Sequence, residues 1–168
     1  MNNSRTNDKG VLGNPIDLVA KFVSRNHWYI FENNLNYVHA EIPGYWGIFD
    51  FLVNWKIKSE VMIINCYFDI KLQKSPRNNK IENILTILNK NLVIGHFILE
   101  EQTRKIFLRY SLPLRGAGGA TSEQIEDIID IVIEQCEQAY PVLHSCSIGK
   151  DYKNFLSSLY FADAVGEA

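Results

Sequence analysis

The sequence is low in cysteine, lacks a long apolar run and shows no excess of one charge sign. Its cysteines, Cys66, Cys136 and Cys146, are odd in number and have no CxxC spacing, which is typical of reduced thiols. Charged and amide side chains interrupt every apolar run well short of the roughly 20 residues that span a bilayer. The net charge of −2 excludes the strongly basic composition of many nucleic-acid binders. We therefore expect neither a membrane nor a nucleic-acid partner.

The chain has the size and composition of one globular domain. With 168 residues, of which 46% are hydrophobic, it can form its own core without a disulfide or a metal. Residues 1–13 contain little that could be buried, and no apolar stretch of signal-peptide length follows the start. We predict a flexible tail over residues 1–13, a single domain over residues 14–168 and a cytoplasmic location.

Two hydrophobic periods alternate along the chain. A helix start signal at Asn14-Pro15 precedes apolar side chains at helical spacing, whereas a period of two extends from Trp28 to Ile70. Turn-forming clusters at residues 32–34, 43–44 and 58–60 divide that segment into four strands. Connections this short join only antiparallel neighbours.

The rest of the chain adds a second helix, two more strands, a third helix and a last helix at about residues 152–164. The third helix begins with Thr121 and Gln124 at capping-box spacing, and Tyr140-Pro141 should end or kink it. The fold class is therefore α+β, an antiparallel sheet of about six strands with helices packed on it. The predicted order is α-β-β-β-β-α-β-β-α-α.

The central strands carry apolar side chains on both of their faces. One face is the expected core, and the other holds Ile48, Leu52, Val61, Ile63 and Tyr67. A half-exposed antiparallel sheet normally has one clean polar face, and large apolar patches are rarely left in water. We expect a helix of the same chain or a second subunit to cover this face, and we favour a homodimer and protein partners.

The third helix has a face of acidic side chains with no basic residue between them. Its members are Glu123, Glu126, Asp127, Asp130, Glu134 and Glu137. Such a face is most often simply solvated. It could also dock a basic partner, or the Lys71–Lys80 loop of a second copy, through charge attraction.

A glycine-rich elbow links the last strand to the third helix. Free backbone N–H groups and the positive end of a helix dipole could bind an anion there. The residues concerned are Arg115, Gly116, Gly118, Gly119 and Thr121. The elbow lacks the lysine of a P-loop and the third glycine of the dinucleotide fingerprint, and acids already occupy the first helical turn. We interpret it first as a chain reversal and second as an anion-binding turn.

No set of residues forms a convincing catalytic or metal site. His144 and Cys146 are two ligands where structural zinc takes four. Cys66 could meet Asp69 and His96, but it shares its strand face with apolar residues, which predicts a buried thiol of low reactivity. We expect no catalytic residue, no metal and no cofactor, and therefore not an enzyme.

Several short segments together resemble the YbjN family of bacterial proteins, in particular its alphaproteobacterial branch. The segments span residues 14 to 168 and include Asn14-Pro15-Ile16-Asp17, Pro43-Gly44-Tyr45-Trp46, Cys66-Tyr67-Phe68-Asp69, Gly95-His96-Phe97, Leu114-Arg115-Gly116-Ala117-Gly118-Gly119-Ala120, Tyr140-Pro141 and Val165-Gly166-Glu167-Ala168. The resemblance implies a fold similar to that of type III secretion chaperones, which dimerise and hold extended segments of client proteins. It also implies the description "putative sensory transduction regulator", and it supplies no catalytic residues.

The sequence thus favours a non-enzymatic protein-binding module, either a regulator or a protein similar to a secretion chaperone. The alternative is a small-molecule, nucleotide or phosphate binder that uses the turn at residues 115–121. A fold alone does not decide between these functions.

Overall fold

The computed structural model describes residues 14–72 and 79–150 as three helices and six strands. In chain order they are α1 (Pro15–Arg25), β1 (Tyr29–Asn34), β2 (Tyr37–Pro43), β3 (Ile48–Lys56), β4 (Val61–Phe68), α2 (Asn79–Lys90), β5 (His96–Leu99), β6 (Ile106–Pro113) and α3 (Ser122–Ser147). This order confirms the predicted α+β fold up to the third helix. The predicted tail and the predicted last helix lie outside the described residues.

The six strands form one antiparallel sheet in the order β1-β2-β3-β4-β6-β5. The first four strands follow one another through tight turns, and α2 then leads to the edge strand β5. The first turn differs from the prediction, because β1 continues through Asn34 and the turn consists of Leu35 and Asn36. The Asn34 side chain accepts a hydrogen bond from the Asn36 N–H at 3.0 Å, which replaces a backbone turn contact.

The core lies between one face of the sheet and the helices, and we call this face the inner face. Its side chains on β3 and β4 are completely buried: Phe49, Phe51, Val53, Met62, Ile64 and Cys66. Helix α1 contributes Val19 and Val23 to this core, and α3 contributes Ile129, Val132 and Cys136. The ring of Phe49 lies 6.2 Å from that of Tyr140 on α3, edge to face. Alternation along the strands sends the remaining side chains to the opposite, outer face.

Helix α3 begins as predicted. The sequence predicted that Tyr140-Pro141 would either end the helix or kink it, and the helix does not end there. The Thr121 hydroxyl accepts a hydrogen bond from the Gln124 N–H at 3.1 Å and caps the helix. The helix continues through Pro141 to Ser147. A proline inside a helix costs about 3 kcal/mol. Val142 and Leu143 are completely buried just after it, and their burial offsets that cost.

Candidate functional site

The outer face of the sheet brings together the five apolar residues that the sequence assigned to it. Ile48, Leu52, Val61, Ile63 and Tyr67 all project from β3 and β4, where cross-strand register places Asp50 opposite Tyr67 and Asn54 opposite Ile63. Each is half-buried except Ile48, which is 45% exposed. Among the described residues no helix packs on this face. The face therefore has neither the full burial of a core nor the polarity of an ordinary surface.

The outer face has two zones along the strands. Near the β3–β4 turn, Leu52, Val61 and Ile63 form what we call the apolar zone. Their neighbours on β6 are uncharged, since Ser111 lies opposite Ile63 and Pro113 lies opposite Val61, whereas Lys56 lies opposite Val61 on β3. Such a zone can lose water to a partner at little electrostatic cost.

The other end of these strands forms a cavity of about 360 Å³, which we call the outer-face pocket. It is lined by Phe31, His39, Glu41, Ile48, Asp50, Tyr67, Phe68, Asp69 and Lys105. Three carboxylates therefore face two basic side chains between aromatic walls. The combination is typical of a polar binding site rather than of a core defect.

Two interactions order the walls of the outer-face pocket. His39 Nε2 pairs with Asp50 Oδ1 across the β2–β3 hairpin, and the Phe31 ring lies 4.7 Å from the His39 ring. On the opposite wall, Tyr67 stacks on Phe107 at 4.6 Å, and Lys105 Nζ lies 5.7 Å from the centre of the Tyr67 ring. Partial burial raises the pKa of Tyr67, and the nearby carboxylates of Glu100 and Asp50 raise it further.

The loop between β2 and β3 presents two exposed aromatic rings beside this end of the sheet. Tyr45 is 85% exposed and Trp46 is 51% exposed, and their rings contact each other edge to face at 4.9 Å. Glu137 on α3 holds the loop, because its carboxylate accepts hydrogen bonds from the Tyr45 N–H at 2.6 Å and the Trp46 N–H at 3.4 Å. The sequence predicts Glu137 only as a member of the acidic face, because no sequence signal indicates that it lies near residue 45.

The acidic face of α3 is partly neutralised by contacts within the chain. Arg25 on α1 forms an ion pair with Glu126 at 2.9 Å, and Glu134 accepts a hydrogen bond from Gln138 at 3.2 Å. Partial burial raises the pKa of Asp130, and the charges of Glu126 and Asp127 raise it further. Glu123 and Asp127 are exposed, so the face remains a predicted docking surface with fewer free charges than the sequence indicated.

An acidic side chain, Glu123, follows the glycine-rich elbow in the first turn of α3. Gly116, Gly118 and Gly119 adopt positive φ values of 78°, 76° and 125°, and the elbow borders a mostly apolar cavity of about 780 Å³. Its apolar side chains include Leu35, Trp55, Ile57 and Leu114. Hydrogen bonds from its own N–H and from the Thr121 hydroxyl lower the pKa of Glu123 at the helix start. The Glu123 carboxylate thus adds negative charge at the start of α3, where it would repel an external phosphate.

The thiols and histidines do not converge on a catalytic arrangement. Cys66 and Cys136 are completely buried, and burial raises the pKa of Cys136 well above its usual range, an effect that contact with Cys66 increases. Within residues 14–72 and 79–150 no three His, Cys, Asp or Glu side chains are arranged to hold a metal ion. No helix in that part of the chain is long and apolar enough to cross a membrane.

Comparison with known proteins agrees with this architecture. The model of the YbjN family, described as "Putative bacterial sensory transduction regulator", matches residues 15–145. Among solved structures, the chain is similar to the crystal structure of YbjN from E. coli, described as a putative transcription regulator. The sequences are 16% identical, the TM-score is 0.53, and the match covers 77% of this chain and 93% of the other. No curated protein sequence matches the chain.

The fold and the family match define an α+β protein of a family described as bacterial regulators. The chain belongs to the YbjN family.

Proposed function

We propose that this protein is a non-enzymatic regulator that acts by binding other proteins through the outer face of its sheet. The observation that carries the proposal is the placement of all three described helices on the inner face, which leaves the apolar zone and the outer-face pocket accessible. Interfaces combine a desolvated apolar centre with a polar rim. The outer face has both parts side by side.

A second copy of the chain is the proposed occupant of the apolar zone. A two-fold interface uses the same patch on both subunits, so it suits a patch centred on uncharged side chains that can face their own copies. Leu52 and Ile63 meet that requirement, because Asn65 lies opposite Leu52 and both Asn54 and Ser111 lie opposite Ile63. Lys56 lies opposite Val61, so charge enters the patch on that side. The homodimer would leave the outer-face pocket for a different protein.

Light scattering on purified protein tests this proposal. We expect the mass of a dimer for the wild type, and the mass of a monomer after Ile63→Asp or Leu52→Asp, because each buries an unpaired charge in the interface. Asn83→Asp adds the same charge to an exposed position of α2 and should leave the dimer intact. Circular dichroism should give the same spectrum for all variants. A wild-type monomer at high concentration would refute the dimer.

The elbow cavity supports a second candidate function, the binding of a small molecule. Its volume of about 780 Å³ falls within the roughly 300–1,000 Å³ range of ligand sites. The mostly apolar lining and the Glu60 carboxylate within it favour an uncharged apolar ligand over a nucleotide. A thermal-shift screen that includes nucleotides, phosphorylated metabolites and apolar metabolites tests this candidate. No shift at millimolar ligand would eliminate it.

A further inference from the structure

The chemistry of the outer-face pocket points to a cationic side chain as its ligand, and we infer that it receives an arginine of a protein partner. The inference rests on the proposed protein-binding function and names the group that the partner must supply. It depends on three features of the pocket, which are its charge, its aromatic walls and its size.

The charge of the pocket is unbalanced. Glu41, Asp50 and Asp69 line it, whereas Lys105 is the only permanent positive charge among the described residues that line it. His39 uses one carboxylate oxygen of Asp50. Neither Glu41 nor Asp69 forms a hydrogen bond or ion pair with another described residue, so no described group competes with an incoming donor for their oxygens. A guanidinium group has five N–H donors in a planar fork and can bond two carboxylates together.

The aromatic walls favour a cation over a neutral donor. Phe31 on β1 and Tyr67 on β4 line the pocket from different strands. The face of an aromatic ring attracts positive charge. The protein itself already uses this attraction, because Lys105 Nζ lies 5.7 Å from the centre of the Tyr67 ring. A planar guanidinium can also stack on such a ring, which a compact ammonium cannot do.

The remaining alternatives fit less well. A cavity of about 360 Å³ lies near the lower end of the roughly 300–1,000 Å³ range of ligand pockets, which suits one side chain rather than a large cofactor. An anion would meet three carboxylates. A metal ion would need several convergent ligands, and no such group exists in the described part of the chain.

Titration with N-acetylargininamide, followed by NMR, tests the inference on the intact protein. We expect millimolar binding that shifts the ring signals of Phe31 and Tyr67. N-acetylcitrullinamide has nearly the same shape without the charge and should cause much smaller shifts. Glu41→Gln and Asp69→Asn should each weaken argininamide binding by about fivefold or more, because each removes a charge-assisted bond. Glu82→Gln, an equal change on the exposed side of α2, should not weaken it.

Four outcomes would overturn the inference. Equal shifts with the citrulline compound would show that charge is not recognised, and shifts confined to other parts of the protein would exclude the pocket. Binding to the Ile63→Asp monomer but not to the wild type would show that the second copy fills the pocket. If Ile63→Asp abolishes the dimer but argininamide does not bind either form, only the arginine inference fails. If the wild type is a monomer that binds argininamide at the pocket, only the dimer fails.

Discussion

The Glu137 carboxylate on α3 accepts a 2.6 Å hydrogen bond from the backbone N–H of Tyr45, which lies 92 residues earlier in the chain. The contact joins the core helix to the loop that displays two exposed aromatic rings. Gly44 and Gly47 permit it, since a Cβ at residue 44 would lie 2.1 Å from Glu137 Oε1 and one at residue 47 would lie 2.7 Å from the Tyr140 hydroxyl. The loop is thus fixed by α3 although its aromatic rings face solvent.

Glu137→Ala should destabilise the protein by about 1–2 kcal/mol. The substitution removes two hydrogen bonds to a charged acceptor, each of which contributes roughly 1.5–3 kcal/mol when buried and less at an exposed site such as this one. Urea unfolding followed by tryptophan fluorescence measures the change. Glu134→Ala removes an equal charge from an exposed position of the same helix and should change stability much less. Equal losses of unfolding free energy in the two variants would contradict the stabilising role of the hydrogen bonds between Glu137 and the loop.

Gly95→Ala should cost more stability than Gly116→Ala. Both glycines have similar positive φ values, 73° and 78°, so both substitutions carry the roughly 1–2 kcal/mol penalty of the left-handed region. A Cβ at residue 95 would also lie 2.6 Å from the Arg109 carbonyl oxygen, whereas a Cβ at residue 116 meets nothing within 4 Å. We expect a difference of at least about 1 kcal/mol in urea unfolding, since backbone must move only at Gly95. A larger loss of unfolding free energy for Gly116→Ala would show that the elbow, rather than the start of β5, has less room for a Cβ.

The sequence predicted the strands well because their signal is local. Alternation alone placed Ile48, Leu52 and Ile63 on the face opposite the core, and the structure brings them together there. The length of α3 was harder to predict, because local proline chemistry opposes the helix while buried contacts made by Val142 and Leu143 stabilise it.

The polar part of the outer face required tertiary information. His39 and Asp50 meet only because the β2–β3 turn sets the register so that Glu41 lies opposite Asp50. A shift of one residue would send both side chains to other neighbours. Lys105 reaches the pocket from the position just before β6, which is far from β2 and β3 in the sequence. The sequence therefore revealed the apolar zone but not the outer-face pocket.

Asp130→Asn should raise stability slightly at neutral pH and lose this advantage in acid. Partial burial and the nearby acids raise the pKa of Asp130 in the folded protein, so the charged form is disfavoured by folding. Above the raised pKa the carboxylate therefore lowers stability. As the pH falls through that pKa the folded state takes up its proton before the unfolded state does, and the penalty disappears.

The urea midpoints of Asp130→Asn and the wild type, measured between neutral and acidic pH, check this sign. The difference should be largest near neutral pH and close to zero below the usual range of an aspartate. Glu134→Gln serves as the control, because it removes an acid from the exposed side of the same helix. A difference between the two urea midpoints that grows in acid would mean that the charged form of Asp130 stabilises the protein.

Thiol labelling should separate the three cysteines by access. In the native protein we expect an aromatic disulfide reagent to modify Cys146, which is partly exposed, while Cys66 and Cys136 stay protected in the core. Partial burial also raises the pKa of Cys146, so its reaction should be slow at neutral pH and faster in base. All three thiols should react in urea, and Cys146→Ser should abolish the native reaction. Rapid native labelling of that variant would show that the core around α3 and β4 opens far more often than its complete burial indicates.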